Sequence, residues 1–256
     1  MHVHVNAGKL PRQAIETWMA TNNVTNAVCP QRLLHGLYHC GVTQRRHPIL
    51  LLHSLFDAPH GLRETSLEVQ PAAYKACYHR HTFEYALGTK HYTLPTLTLD
   101  VMDHFDFFVK LDVDVRLLAH VDINKEMTTR GAYWLQGTDD GVASEICQAT
   151  LNVCLQAFVQ SHGTRCSRQP PSYLLKPRIR SFNSPFVAAW LGTLQAPLVL
   201  QYAQLWWTWP GGWDHRWGDQ EFWMHALWLA QVNHTRVANV SHEWWLTKGG
   251  NRFQHY

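Results

Sequence analysis

The stretch "DHFDFFVKLDVDVRLL" (103–118) restricts the fold more than any other part of the chain. Phe and Val dominate its middle, the composition of a strand buried in a sheet. It then places Asp112 and Asp114 two residues apart. Residues i and i+2 of a strand point to one face, so these carboxylates would stand side by side where the strand emerges into a loop. An isolated ionised carboxylate taken out of water is costly unless something compensates it. The compensation is open to three readings. It could be solvent at a strand end with Arg116 or Lys110 as screening charges, a basic partner, or a metal ion. Two hard oxygen ligands at this spacing suit Mg²⁺ or Mn²⁺, and open α/β sheets place ligands at the carboxyl ends of their strands.

Composition supports a folded core. The chain has 256 residues, 46% of them hydrophobic, with 12 tryptophans, enough for one sizeable α/β domain. A formal charge of +3 gives no basic field for nucleic acid. The 18 histidines weaken any argument from a single one. Six cysteines show neither a CxxC pair nor zinc-ligand spacing, so no structural zinc is expected. Three N-x-S/T sequons, at Asn23, Asn233 and Asn239, lean towards the secretory pathway. No signal-peptide pattern opens the chain and no apolar run is long enough to span a bilayer, so the expectation is a soluble chain, or a lumenal fragment whose anchor is not included.

Strand and helix signals alternate, which favours a single α/β domain over 1–256. Residues 1–46 are weakly patterned, with "QRLLHGLYHCG" a short helix at best, and 47–248 form the core of the domain. "HPILLLHSLF" (47–56) reads as a buried strand, and "AAYKACYHRHTFEYAL" and "LTLDVMDHF" as helices. A helix is expected within "GVASEICQATLNVCLQAFVQSHG", with Leu151, Cys154, Leu155 and Phe158 on one face and Gly163 as the stop. "PFVAAWLGTLQAPLVLQYAQLWW" reads as a helical pattern that Pro197 interrupts or bends. "GDQEFWMHALWLAQV" is the best helix, with Phe222, Ala226, Leu229 and Ala230 along one stripe.

The carboxy-terminal region, read with the Asp pair, resembles the fungal Golgi α-1,2-mannosyltransferases of the Kre2/Mnt1 type. The pieces are Gly211-Gly212, "RWGD" (216–219) opening a helix, and "VANVSH" (237–242) ending in His. "FDFFVKLDVDV" is similar to the family's "YDYYWRVEPDV", with Asp112 where the family has Glu and Asp114 at its Asp. "SFNSPF" (181–186) is similar to the family's "YNTNF". Order and approximate spacing agree over about residues 47–245.

The resemblance implies a GT-A (Rossmann-like) nucleotide-diphospho-sugar transferase fold, with a mixed central sheet flanked by helices. It implies a retaining, metal-dependent hexosyltransferase moving mannose from a nucleotide-diphosphate sugar to a hydroxyl of a glycan or glycoprotein acceptor. GDP-mannose is the favoured donor, with a UDP-sugar open, and the setting is protein glycosylation at the Golgi membrane or elsewhere in the secretory lumen. Carried over by position, Asp112, Asp114 and His242 would hold Mn²⁺ (or Mg²⁺). Asp219 would be catalytic, orienting or deprotonating a sugar hydroxyl, unless it only caps the helix from Gln220. Asn183, Gly211, Gly212, Trp213, Arg216 and Trp217 would bind substrate. Nine of the 12 tryptophans lie between Trp206 and Trp245, a clustering that suits either a sugar-stacking groove or a packed core.

One departure matters. The family's Glu after the "NF" step falls on Val187. Its loss leaves front-face displacement, a shifted alignment, or inversion with Asp219 as base. Two other functions stay open: a non-catalytic carbohydrate-binding relative, and a metal-dependent phosphohydrolase. Phosphohydrolases of the D-x-D type normally carry Thr or Val two residues after the second Asp, where this chain has Arg116, so that fit is poor.

Overall fold

The computed structural model describes residues 2–5, 27–32, 38–42, 49–53, most of 89–240, and 253–255. The helix expected over 72–87 lies outside the described residues, as do Asp112, Asp114, Asn183, Arg216 and His242.

Four amino-terminal strands form one sheet: β1 (His2–Val5), β2 (Ala27–Arg32), β3 (Tyr38–Val42) and β4 (Ile49–His53), in the order β1-β4-β3-β2. β1 runs parallel to β4; the other pairings are antiparallel. The expected strand in "HPILLLHSLF" is therefore present as β4. "QRLLHGLYHCG" departs from its reading as a short helix. It supplies the end of β2 and most of β3, and β3 is held by pairing with β4, a partner the local pattern does not reveal.

The rest of the chain runs α1 (Leu94–Leu97), β5 (Phe107–Leu111), β6 (Val115–Leu117), α2 (Ile123–Arg130), β7 (Trp134–Gln136), β8 (Asp140–Gly141), α3 (Leu151–His162), β9 (Ser181–Phe182) and β10 (Phe186–Trp190). There follow α4 (Leu191–Leu194), α5 (Pro197–Thr208), α6 (Pro210–Asp214), α7 (Asp219–Leu229), β11 (Val237–Asn239) and β12 (Phe253–His255). β5, β7, β10 and β11 build a second sheet in the order β11-β7-β10-β5, with only β10 antiparallel to its neighbours. β1, at the edge of the first sheet, comes within 8 Å of β5, at the edge of the second.

Register partners share a face of the sheet. Phe108, Val187, Ala189 and Trp134 look one way, into a core built with α3, α5 and α7. Phe186, Ala188 and Leu135 look the other way, onto Met127 of α2. α2 carries its own punctuation: the Asp122 side chain accepts from Lys125 N at 3.0 Å, and Gly131 closes the helix at φ 57°.

Several local readings hold. β5 ends at Leu111, one residue before Asp112. In α3 the buried residues are Leu151, Cys154, Leu155 and Phe158, and Gly163 ends the helix at φ 47°. This helix begins only at Leu151, later than the expected span. α1 stops at Leu97, and residues 99–101 and 104 of the helix expected in "LTLDVMDHF" lie outside the described residues. The largest correction is Phe186–Trp190, read as part of a helix and found as the central strand β10. A short apolar run carries no period of its own, and two flanking strands decide it. Pro197 does not bend a helix. It opens α5 within the first turn, where its missing N–H costs nothing. No helix among the described residues is long and apolar enough to cross a membrane.

Candidate functional site

The parallel strands β5, β7 and β11 end on one rim of the sheet at Leu111, Gln136 and Asn239. Asp112 and Asp114 follow β5 directly in the chain, and His242 is three residues past β11. β5 and β11 are three strand spacings apart, about 14 Å. Three extended residues reach about 10 Å from each strand end, so chain length allows the acids and the imidazole to meet. Among the described residues no group of three or more His, Cys, Asp or Glu could hold a metal ion.

Asp219 is the first residue of α7, and its side chain is buried at that helix's amino terminus. Its Oδ2 pairs with Lys110 Nζ at 3.0 Å, both side chains at most 5% exposed, and accepts from Trp223 Nε1 at 3.4 Å. Lys110 also lies over the Tyr92 ring at 5.1 Å. Lys110 stands on the Phe108 face of β5, and its charge is held by Asp219. The helix cap is Gly218 and not Asp219. Glycine has no side chain to accept a bond, so only half a capping box forms: Gly218 N donates to Glu221 Oε2 at 3.0 Å. Glu221 Oε1 in turn accepts from Gln148 Nε2 at 3.3 Å, and Gln148 Oε1 accepts from Ile179 N at 2.6 Å. Burial raises the Glu221 carboxyl above its ordinary 4.5, against those hydrogen bonds.

Trp206, Trp213, Trp217 and Trp223 of the tryptophan cluster are interior. Trp217 and Trp206 are fully buried with ring centroids 4.8 Å apart, and Trp217 Nε1 donates to Ala149 O at 3.1 Å. Trp213 is 3% exposed, and its Nε1 donates to Trp207 O at 2.8 Å. The structure therefore places Trp213 and Trp217 in the core, not on a sugar-stacking wall, because each indole finds its N–H partner inside. Gly211 and Gly212 form part of the short helix α6, not a free turn. A Cβ on Gly211 would lie 2.5 Å from Thr150 Oγ1, and one on Gly212 would lie 2.8 Å from both Lys90 Nζ and Trp217 Cε3. Both glycines permit close packing.

Lys90 is what that packing encloses. Its Nζ is buried, has no hydrogen-bond partner, and sits 5.3, 4.8 and 5.7 Å from the centroids of Trp206, Trp213 and Trp217. Burial pulls its pKa from 10.5 down to about 7, with Cys154 and Glu221 acting in the opposite sense. Nearby, Tyr202 OH and His225 Nδ1 are 2.5 Å apart, while His225 Nε2 is unpartnered and burial lowers that imidazole to about 3. Lys90, Glu221 and His225 were not legible as functional or buried in the sequence. Val187, at the position of the family's Glu, is fully buried, with Lys110 and Gln136 as its register partners.

No family model and no curated protein matches this sequence. Solved structures do. The structure of core-mannan synthase A from Aspergillus fumigatus, in its Mn/GDP form, is 14% identical at a TM-score of 0.58, covering 76% of this chain and 57% of that one. The mannosyltransferase Ktr4p from S. cerevisiae in complex with GDP is 15% identical at 0.55, covering 74% of this chain and 52% of its own. A further structure of Ktr4p from S. cerevisiae is 14% identical at 0.55, covering 77% of this chain and 54% of its own. The chain thus spans a little over half the length of the structures it matches. At this identity the likeness establishes the fold: a mixed α/β GT-A arrangement.

Proposed function

We propose that this chain is a metal-dependent glycosyltransferase that moves a hexose, mannose first among candidates, from a nucleotide-diphosphate sugar to a glycan hydroxyl. One observation carries the reading. In a fold shared with GDP-bound mannosyltransferases, β5 ends one residue before the Asp112–Asp114 pair.

Asp112, Asp114 and His242 are the residues that would hold the metal. Two carboxylates and a neutral imidazole suit Mn²⁺. When bound, the ion neutralises the charge of the departing diphosphate. The chain's own residues do the rest. Val187 is apolar and enclosed, and Asp219 is tied to Lys110. Neither offers a free carboxylate as nucleophile or base. The arrangement therefore favours front-face displacement. The acceptor oxygen bonds to the anomeric carbon on the side from which the nucleoside diphosphate departs, and the freed phosphate oxygen takes the hydroxyl proton. Asp219 acts as a positioning residue, fixing α7 against β5 through Lys110. Action on glycans in the secretory lumen is part of the same proposal.

The test is turnover of GDP-mannose and UDP-sugars with and without Mn²⁺. Stimulation by the metal, abolished in Asp114→Asn, supports the reading. Release of inorganic phosphate without sugar transfer refutes it in favour of a phosphohydrolase. The tied Asp219 and the apolar Val187 also fit a second reading, a non-catalytic glycan binder. That protein would hold glycans with neither metal nor nucleotide dependence and would show no turnover.

A further inference from the structure

The N-x-S/T sequence Asn233-His234-Thr235 has no part in the proposed transfer, and the end of α7 decides how it is presented. Gln231 N donates to Trp228 O at 2.9 Å and Val232 N to Leu227 O at 3.0 Å, with Gln231 at φ 56°. These are the two bonds that seal a helix through one left-handed residue. Val232 then packs against the core. Beyond it the chain leaves the interior: Asn233, His234, Thr235 and Arg236 are all exposed, the last part of the run forming a short 3₁₀ turn, His234–Arg236.

The two ends of the Asn233 amide differ. Its Oδ1 accepts from Thr235 N at 3.1 Å, which leaves Nδ2 as the available end. Exchanging one Nδ2 hydrogen for a sugar does not touch Oδ1, so the turn survives the modification. Asn233 also borders a half-open cavity of about 850 Å³, with room beside it for a first sugar ring. N-linked glycosylation needs an Asn, a residue other than Pro, and a hydroxyl two positions on, at the surface of the folded chain. His234 and the exposed Thr235 meet the second and third needs.

We propose that Asn233 is an acceptor for an N-linked oligosaccharide delivered from a lipid-linked diphosphate. Nδ2 bonds to the anomeric carbon of the first sugar. The bond from that carbon to the diphosphate oxygen breaks, its electrons leave with the lipid diphosphate, and one Nδ2 proton passes to the transferring enzyme. The inference rests on the lumenal part of the proposed function and is independent of the metal site and of mannose transfer.

The test is translation of the full chain, behind an added secretory leader, in the presence of endoplasmic-reticulum microsomes. Asn23→Gln and Asn239→Gln remove the two other N-x-S/T sequences. One mobility shift, reversed by endoglycosidase, is expected. Asn233→Gln and Thr235→Ala should each abolish it, and Thr235→Ser, which keeps the hydroxyl, should retain it. No shift, or a shift that survives Asn233→Gln, overturns the proposal. The glycosylated chain should unfold at a temperature no lower than the same chain after endoglycosidase trimming. A lower midpoint means that the sugar displaces packed residues, and overturns the exposed turn. A microsomal shift together with an unmodified chain in its native cell keeps the site and removes the lumenal reading. A chain recovered from the native lumen, with no microsomal shift, does the reverse.

Discussion

Replacing Lys90 with methionine should stabilise the protein, most of all in acid. The ammonium has no hydrogen-bond partner in its enclosure, and burial lowers its pKa from 10.5 to about 7. That difference corresponds to about 5 kcal/mol against the folded state when the group is charged in both states. The three indole rings oppose this, each returning about 0.5–1 kcal/mol, so the penalty is about 2–5 kcal/mol, and the lower edge of the titration window rises from about 7 as the penalty falls. The sign follows from proton counting. Between about 7 and 10.5 the unfolded chain binds a proton that the folded chain releases, so stability rises with pH across that window. Below it the full penalty stands; above it none remains. Methionine fills a similar volume with no charge. Urea denaturation at about pH 6 should show Lys90→Met more stable by about 2–5 kcal/mol, and the advantage should shrink towards zero near pH 10. If Lys90→Met is instead destabilised at low pH by more than about 1 kcal/mol, with a pH profile parallel to the native protein's, Lys90 has a charge partner and the reasoning fails.

Two further outcomes depend on the same packing. Gly212→Ala forces a methyl to within 2.8 Å of Lys90 Nζ and Trp217 Cε3, and thermal unfolding should report a loss of about 1–3 kcal/mol. Asp219→Asn strips the buried Lys110 of the carboxylate 3.0 Å away. It should cost about 3–5 kcal/mol, much of it regained when Lys110→Met is added, since a buried pair replaced by apolar side chains is often neutral. An Asp219→Asn protein with native stability and no turnover would make Asp219 a direct participant in the chemistry and not a positioning residue.

The site was half legible. The strand before the acids could be read because Phe107, Phe108 and Val109 state a β preference locally, and it stops where the charges begin. Leu151, Cys154, Leu155 and Phe158 could be read as a buried face from their spacing alone. The partners of charged groups could not. Nothing near Lys110 in the sequence points to Asp219, 109 positions later. Nor does "GTKHYT" suggest that Lys90 ends up beneath three indoles.

Periodicity and turn chemistry are properties of neighbours along the chain, so the sequence by itself determined α3, α7 and the strand that precedes the two acids. Pairing and enclosure depend on residues brought together from far apart. The tertiary structure alone decided that Phe186–Trp190 extends between two strands instead of coiling. It also decided that Trp213 and Trp217 face inward. An apolar ring or short apolar run is compatible with either outcome, and only the competition for buried space selects between them.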